Sequence, residues 1–150
     1  MDHKGTVNIE TKRLFLRQFE EKDIRPAFQN WTNDAKVTKY LTWPIHGSIE
    51  VTKEVIENWR KNYSDKRFYQ WAIVLKEIDE SIGSISVVDM NEKVNSLDIG
   101  YCIGSKWWNK GYTSEACSAI ISFLFEEVKA FCVKQDGITL ELWMRLIMEY

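Results

Sequence analysis

Alternating apolar and polar positions mark the first regular element of the chain. Residues 9–19 end in an alternation that places Leu14 and Leu16 on one face. Side chains repeat every two residues along a β-strand. The pattern therefore predicts one strand near the N-terminus.

Helical spacing replaces this alternation in the two segments that follow. Asp23 offers an N-cap and Pro26 is tolerated only in a first turn, so a helix is predicted at about Ile24–Trp31. Ser48 offers the next N-cap, and apolar residues then recur at helical spacing toward Tyr63. Two helices are therefore expected after the first strand.

Three segments rich in β-branched and aromatic residues come next, and short polar turns separate them. They are Phe68–Leu75, Ser81–Met90 and Asn95–Ile103. Such short connections favour an antiparallel meander. Glycines that interrupt the strands indicate bulges or places of close backbone approach: Gly83, Gly100 and Gly104.

A final apolar stripe follows Gly111 and has helical spacing as far as about Val128; it includes Tyr112, Ala116 and Ile120. The predicted order is strand, two helices, three antiparallel strands and a helix. This order is typical of an α+β fold, and residues 1–150 are expected to form a single domain.

Composition and charge narrow the classes of function. Apolar residues make up 45% of the chain, which indicates a globular protein, and a net charge of −2 gives no support to nucleic-acid binding. The sequence has neither a membrane-spanning apolar run nor a hydrophobic N-terminal signal segment. Three cysteines without CxxC spacing and two distant histidines, His3 and His46, predict no metal site. Reduced thiols in a cytoplasmic protein are expected.

The segment between the last predicted strand and helix has the features of an anion site. A helix that begins at Gly111 presents unpaired N–H groups and a positive dipole end. Thr113 and Ser114 add hydroxyl donors, while Lys106 and Lys110 add positive charge. On spacing alone this signal is weak, and no GxxxxGK[ST] motif is present to indicate an NTPase.

The sequence WWNKGYTSEA, residues 107–116, resembles the acetyl-CoA pyrophosphate loop of GNAT acetyltransferases. It is most similar to the RimJ/RimL branch, which acetylates ribosomal proteins. The resemblance extends to Asp98–Gly104, to Thr11–Arg17 and to the strand with Gly83, and it covers about residues 9–130. Trp108 stands where the general family loop has Gln or Arg. The fold this implies is a central, mostly antiparallel sheet flanked by helices.

The resemblance also implies a cofactor site for acetyl-CoA, with no metal. Backbone amides from about Asn109 to Ser114 would cradle the pyrophosphate, and Ile103 with its neighbours would pair with the pantetheine arm. Trp107 and Trp108 would pack beneath the turn. The expected cofactor-binding residues are Ile103, Asn109, Lys110, Gly111, Tyr112, Thr113 and Ser114.

Members of this family transfer the acetyl group directly to an amine, which must lose a proton before it attacks. Asp98 is the candidate base, because its strand faces the expected cleft. Cys102 has no histidine nearby to activate it, so it is not expected to act as a nucleophile. Glu115 is expected to act locally, in the first helical turn. Trp31, Trp43 and Tyr40 are candidates either to line the acceptor site or to pack in the core.

The family pattern stops at residues 131–150, where a strand and a helix are abbreviated. An acetyltransferase acting on a ribosomal or other protein N-terminus, or on a small amine, is the leading hypothesis. The alternatives are an acyl-CoA-binding module without turnover and a scaffold domain. A tail with Trp143, Leu146 and Ile147 would leave an uncovered apolar edge, so a homodimer or larger oligomer is expected.

Overall fold

The three strands predicted within residues 68–103 form the centre of the sheet. We describe a computed structural model over residues 1–39 and 43–135, together with the backbone of residues 138–139. Its seven strands lie side by side in chain order: Ile9–Glu10 (β1), Leu14–Arg17 (β2), Gln70–Leu75 (β3), Glu80–Asn91 (β4), Ser96–Ile103 (β5), Cys132–Gln135 (β6) and Ile138–Thr139 (β7). The predicted meander is therefore confirmed.

Four α-helical segments accompany the sheet within the described residues: Ile24–Ala27 (α1), Ala35–Thr38 (α2), Ile49–Asn62 (α3) and Tyr112–Glu126 (α4). A 3-10 turn at Glu21–Asp23 precedes α1, and a π-helical turn at Phe28–Thr32 follows it. The α+β class and the mostly antiparallel sheet are as predicted. No helix in the described part of the chain has the length and apolar character needed to cross a membrane.

The two faces of the sheet carry separate apolar layers. Leu14 and Leu16 are fully buried in the layer that includes α4, where Ala116 and Ile120 are also fully buried. The opposite layer includes Trp31 of the π-helical turn and Ile56 of α3 among its buried residues, together with four others: Phe19, Ala27, Ala72 and Val74. The sheet is therefore enclosed on both sides.

The chain forms two short strands at its start, and the prediction of one strand was wrong. β1 pairs antiparallel with β2 through a tight turn. The N–H group of Thr11 donates to the carbonyl of Leu14 at 2.9 Å, and Thr11 Oγ1 accepts from the Leu14 N–H at 3.1 Å. These two hydrogen bonds fold the segment back where the alternation pattern suggested continuity.

Asp23 occupies the predicted N-cap position of the first helix, but its side chain does not cap that helix. Asp23 lies at the end of the 3-10 turn and makes no capping bond to α1. Its carboxylate accepts from the Glu20 N–H at 2.7 Å and from both terminal nitrogens of Arg17, at 2.7 and 2.8 Å. Asp23 therefore fixes the end of β2 against the helical turn.

β5 and β6 form the one parallel pair among the described strands. The pairing is Ser96 with Cys132, Leu97 with Val133 and Asp98 with Lys134. A parallel pair needs a crossover connection, and α4 supplies it. β5 continues to Ile103, whereas its described pairing with β6 ends at Asp98. One edge of β5 is therefore free of β6 beyond Asp98.

Gly83, near the start of β4, and Gly104, directly after β5, mark close backbone approach, as predicted. A Cβ atom on Gly83 would overlap the carbonyl oxygen of Cys102, and one on Gly104 would overlap that of Asn30. The β3–β4 register also shifts beside Gly83, between Ile73 and Val74. Gly104 thus lets the π-helical turn contact the end of β5.

The segment after α4 is only partly within the described residues. β6 begins at Cys132, within residues 131–150, where the family pattern was expected to stop. The apolar tail residues Trp143, Leu146 and Ile147 lie outside the described residues.

Candidate active site

The loop between β5 and α4 ends in two left-handed residues. A 3-10 turn at Ser105–Trp107 follows β5, and then Asn109 has a φ of 62° and Gly111 a φ of 81°. Positive φ is easiest for glycine and next for asparagine. The chain can therefore reverse direction here and enter α4 at Tyr112.

The amides at the start of α4 have no intrahelical acceptor. Gly111 occupies the N-cap position but has no side chain to bond them, and the first α-type bond runs from the Glu115 N–H to the Gly111 carbonyl at 3.1 Å. The N–H groups of Tyr112, Thr113 and Ser114 therefore precede this bond and suit an anion. Asn109, Lys110 and Gly111 are exposed beside them.

The two tryptophans support the loop in different ways. Trp107 is buried in the α4-side core, and Lys106 Nζ lies 5.5 Å from the centre of its ring. Trp108 is partly exposed, and its indole N–H donates to the carbonyl of Ile103 at 2.9 Å. The structure therefore places both rings against the turn and the strand end, with Ile103 itself buried.

Arg13 and Glu115 connect this loop to the N-terminal hairpin. Glu115 accepts from the Thr11 hydroxyl at 2.5 Å, from the Arg13 N–H at 2.8 Å and from Arg13 Nε at 2.7 Å. Arg13 Nη1 donates to the Lys110 carbonyl at 2.9 Å, and the guanidinium carbon lies 4.4 Å from the centre of the Tyr112 ring. Glu115 thus makes long-range contacts, and the expectation of a purely local role was wrong.

The environment of Glu115 favours its charged form. Partial burial alone would favour the neutral acid, but the hydrogen bonds from Thr11 and Arg13 and the charge of Arg13 outweigh it. The pKa of Glu115 is therefore lowered from its ordinary value.

A second carboxylate joins the other side of the loop to the helical layer. Asp34 accepts from the Ser105 N–H at 2.9 Å and from the Ser105 hydroxyl at 2.6 Å. The same side chain caps α2 by accepting from the Lys36 N–H at 3.0 Å. Burial opposes ionisation, but these hydrogen bonds outweigh it and lower the pKa of Asp34.

Asp98 lies where β5 and β6 separate. It is the last residue of β5 paired with β6, and its side chain is half-buried. Its Oδ1 atom is buried and has no hydrogen-bond partner among the described residues. An unpaired buried carboxylate oxygen has bonding capacity that a bound molecule can use.

Cys102 is a core thiol. It is buried on the opposite sheet face from α4, with its sulfur 3.5 Å from the Ser84 hydroxyl. Burial raises the pKa of Cys102 to about 11, so the thiol is protonated at neutral pH. A nucleophilic cysteine acts as the thiolate, so this environment argues against an acetyl-cysteine intermediate.

The predicted acceptor aromatics are only partly accessible. Trp31 is buried, and its indole N–H donates to the Ser81 hydroxyl at 3.2 Å, so it packs in the core. Trp43 is partly buried with its ring centre 5.1 Å from that of His46. Tyr40 lies outside the described residues.

His46 belongs to a short polar chain near Trp43. Its Nδ1 is 2.7 Å from the Thr52 hydroxyl, which is 2.7 Å from the Thr32 hydroxyl. Burial lowers the pKa of His46, which favours the neutral ring. In the described part of the chain, no cluster of three or more His, Cys, Asp or Glu side chains is arranged to hold a metal ion.

These features match a known family. The model of the acetyltransferase (GNAT) domain matches residues 13–143, which is most of the chain. The chain belongs to the GNAT acetyltransferase family. The GNAT assignment accounts for the meander, for the α4 crossover and for the parallel β5–β6 pair beside the loop.

Individual GNAT proteins extend this comparison. The uncharacterized N-acetyltransferase YoaA of Bacillus subtilis is 33% identical over 78% of this chain and 66% of its own length. The chain therefore spans just under two thirds of that relative.

Solved GNAT structures show the same fold. A putative ribosomal-protein-serine acetyltransferase from Vibrio cholerae superposes with a TM-score of 0.80 at 19% identity, covering 97% of this chain and 82% of that one. RimL, a ribosomal alpha-N-protein acetyltransferase solved with coenzyme A, gives 0.72 at 17% identity over 85% and 72% of the two chains.

The loop residues named from the sequence therefore lie together, but one neighbour was missed. Arg13 belongs to the family-like segment Thr11–Arg17, but that similarity alone gives it no role. Its approach to Lys110 and Glu115 depends on tertiary packing. The signal that could have found it is an arginine at a hairpin turn together with an acidic residue in the first turn of the loop helix.

Proposed function

We propose that this chain is an acetyl-CoA-dependent N-acetyltransferase that moves an acetyl group directly to a primary amine. The observation that carries the proposal is the cluster of amides without intrahelical acceptors at the start of α4, in the loop that follows β5. The cluster suits a pyrophosphate, and a strand edge suits the amide groups of a pantetheine arm. The names of GNAT relatives such as YoaA support the same activity.

The proposed cofactor contacts are those expected from the sequence. Backbone amides of Asn109, Lys110, Gly111, Tyr112, Thr113 and Ser114 bind the pyrophosphate. Ile103 and its β5 neighbours contact the arm, and the Ile103 carbonyl already accepts from Trp108. Acetyl-CoA supplies the activated acetyl group when bound.

We assign the base role to Asp98. The protonated amine first gives one proton to the Asp98 carboxylate, directly or through water, and the carboxylate releases it to solvent. The neutral nitrogen then forms a bond to the acetyl carbon and the carbon–sulfur bond breaks. The second proton that the nitrogen loses passes to the departing sulfur, so coenzyme A leaves as the thiol. The unpaired Oδ1 atom of Asp98 supports this assignment, because it is a free acceptor near the separation of β5 and β6.

The proposed acceptor is a protein N-terminus, ribosomal or other, or a small amine. The V. cholerae protein and RimL are both named for ribosomal substrates, which supports the first class. We further propose a single domain that works in the cytoplasm as a homodimer or larger oligomer. The binding-only alternative has no specific observation in its favour.

The proposal is tested by offering the protein acetyl-CoA with a panel of N-terminal peptides and small primary amines. Free thiol and acetylated amine should form in equal amounts, and the rate should rise with pH as the acceptor loses its proton. Acetyl-CoA should also raise the melting temperature, because it binds only the native state.

Gly111→Glu is the informative variant for the loop. It adds bulk and negative charge where the anion is expected, and it forces a side chain into a positive-φ position. Both the melting shift and turnover should disappear. If the shift survives in this variant, the loop assignment is wrong; if the wild-type protein binds acetyl-CoA without acetylating any amine, the proposed activity is wrong.

A further inference from the structure

The Arg13 guanidinium is held in one position from several directions. Nε donates to Glu115, Nη1 donates to the Lys110 carbonyl, and the plane lies over the Tyr112 ring. Nη2 is 3.2 Å from the place where a Cβ atom on Gly111 would lie. A planar, forked side chain can make all these contacts together, which a lysine cannot.

These contacts act on the part of the loop that has unusual backbone geometry. Asn109 and Gly111 flank Lys110, and both have positive φ. The hydrogen bond from Arg13 fixes the carbonyl of Lys110, and so fixes the orientation of the peptide unit that it shares with Gly111. The direction of the following amides depends on that peptide unit.

Glu115 in turn fixes Arg13. Its side chain is 18% exposed, whereas that of Arg13 is 39% exposed. Thr11 and the Arg13 backbone N–H occupy its second oxygen. A charged pair with several neutral hydrogen bonds around it holds its geometry better than an isolated surface pair.

We propose that Arg13, oriented by Glu115, is a positioning residue for the pyrophosphate of coenzyme A. It preorganises the Lys110–Gly111 peptide so that the amides at the start of α4 face the anion. This inference rests on the proposed function. It predicts that Arg13 contributes to binding of the pyrophosphate-bearing half of the cofactor and not to the chemistry at the thioester.

The test compares two acetyl donors. Acetyl-CoA has the pyrophosphate, whereas S-acetylpantetheine has the thioester and the arm without it. Arg13→Met should raise the KM for acetyl-CoA and the Kd for coenzyme A about tenfold or more, which is the typical effect of losing charge-assisted hydrogen bonds. The kcat value with acetyl-CoA and the kcat/KM value with S-acetylpantetheine should both stay close to those of the wild type.

Two further variants separate geometry from charge. Lys12→Met removes the neighbouring exposed cation of the same turn and should leave the kinetic constants with both acetyl donors unchanged. Arg13→Lys keeps the charge but not the fork, so it should remain several-fold weaker than the wild type for coenzyme A. Full recovery in Arg13→Lys would show that charge suffices and would overturn the positioning role.

A double-variant cycle checks the role of Glu115. If Glu115 acts through Arg13, Glu115→Gln should add little to the loss in Arg13→Met. If the losses of affinity for coenzyme A add fully in the double variant, Glu115 does not act through Arg13.

Different results would overturn the role of Arg13 and the proposed activity. Unchanged affinity for coenzyme A in Arg13→Met, or equal losses with both donors, would overturn the role of Arg13 alone. Binding of coenzyme A without turnover by the wild type would overturn the proposed activity, while calorimetry with coenzyme A would still test Arg13. A wild type that does not bind coenzyme A would overturn both.

Discussion

Asp34 shows how a single carboxylate can join two segments of a site. It caps α2 and holds both polar groups of Ser105, just beyond the end of β5. These bonds favour the charged form, so the folded protein lowers the pKa of Asp34 below its unfolded value. Such a group contributes stability above its unfolded pKa and loses that contribution as the pH falls through the folded value.

Asp34→Asn should therefore lower the melting temperature at neutral pH, and the difference from the wild type should shrink below about pH 4. Thermal unfolding monitored by circular dichroism across this range provides the measurement. Asp89→Asn is the matched control, because this side chain is exposed on β4. If the melting-temperature difference between Asp34→Asn and the wild type stays constant with pH, Asp34 does not stabilise the fold through its charged form.

Residue types alone were enough to propose an anion loop at residues 109–114 but not to identify its supports. Gly111 and the hydroxyls that follow it are adjacent in sequence, so their arrangement is readable from spacing and from family similarity. Arg13 and Glu115 are 102 positions apart, and their meeting depends on how the hairpin packs on α4. Glu115 was therefore assigned to its local turn, and Arg13 was given no role.

At the scale of elements, Gly104 determines how closely the helical layer approaches β5. The carbonyl of Asn30 occupies the space where a side chain would begin. Backbone cannot move aside as a flexible side chain can, so a methyl group here must displace the π-helical turn or the strand end.

Gly104→Ala should accordingly destabilise the fold by about 1–3 kcal/mol, as is typical of overpacking. Gly47→Ala is the matched control, since nothing lies within 4 Å of the corresponding Cβ position. Chemical denaturation of both variants measures the difference. Equal stability of the two would show that the close approach at Gly104 is relaxed at no cost.

The helices and strands differ in how well the sequence predicts them. The meander was predicted correctly because its runs of β-branched residues are long and its turns are polar. The N-terminal hairpin was missed because a turn stabilised by Thr11 leaves no glycine or proline signal. The parallel register of β5 and β6 follows from the α4 crossover, which is a tertiary feature that local pattern does not specify.

At the scale of the whole molecule, two apolar side chains near the start of β5 face solvent. Phe131 is 84% exposed and Val94 57% exposed. Asn95 directly follows Val94, and the Phe131 N–H donates to the Asn95 carbonyl at 2.8 Å. Phe131 and Val94 therefore lie at the same end of β5. Exposed apolar groups that cluster in this way favour association.

We therefore expect a homodimer or larger oligomer by light scattering after size exclusion at micromolar concentration. Phe131→Ser should shift the population toward the monomer without unfolding it, because this side chain is exposed. Lys129→Ser is a control on an exposed neighbour outside the apolar group. A monomeric wild type would refute this expectation.

The Arg13–Glu115 pair also has a consequence for the order of events during folding. Its partners join residues 11 and 13 to residue 115, so the pair closes a loop of more than a hundred positions. Loop closure over that distance is entropically costly and comes after local pairing such as the β3–β5 meander. On the ribosome, the pair cannot form until α4 has emerged. A nascent chain would therefore assemble most of its sheet before it acquired a rigid loop at the start of α4.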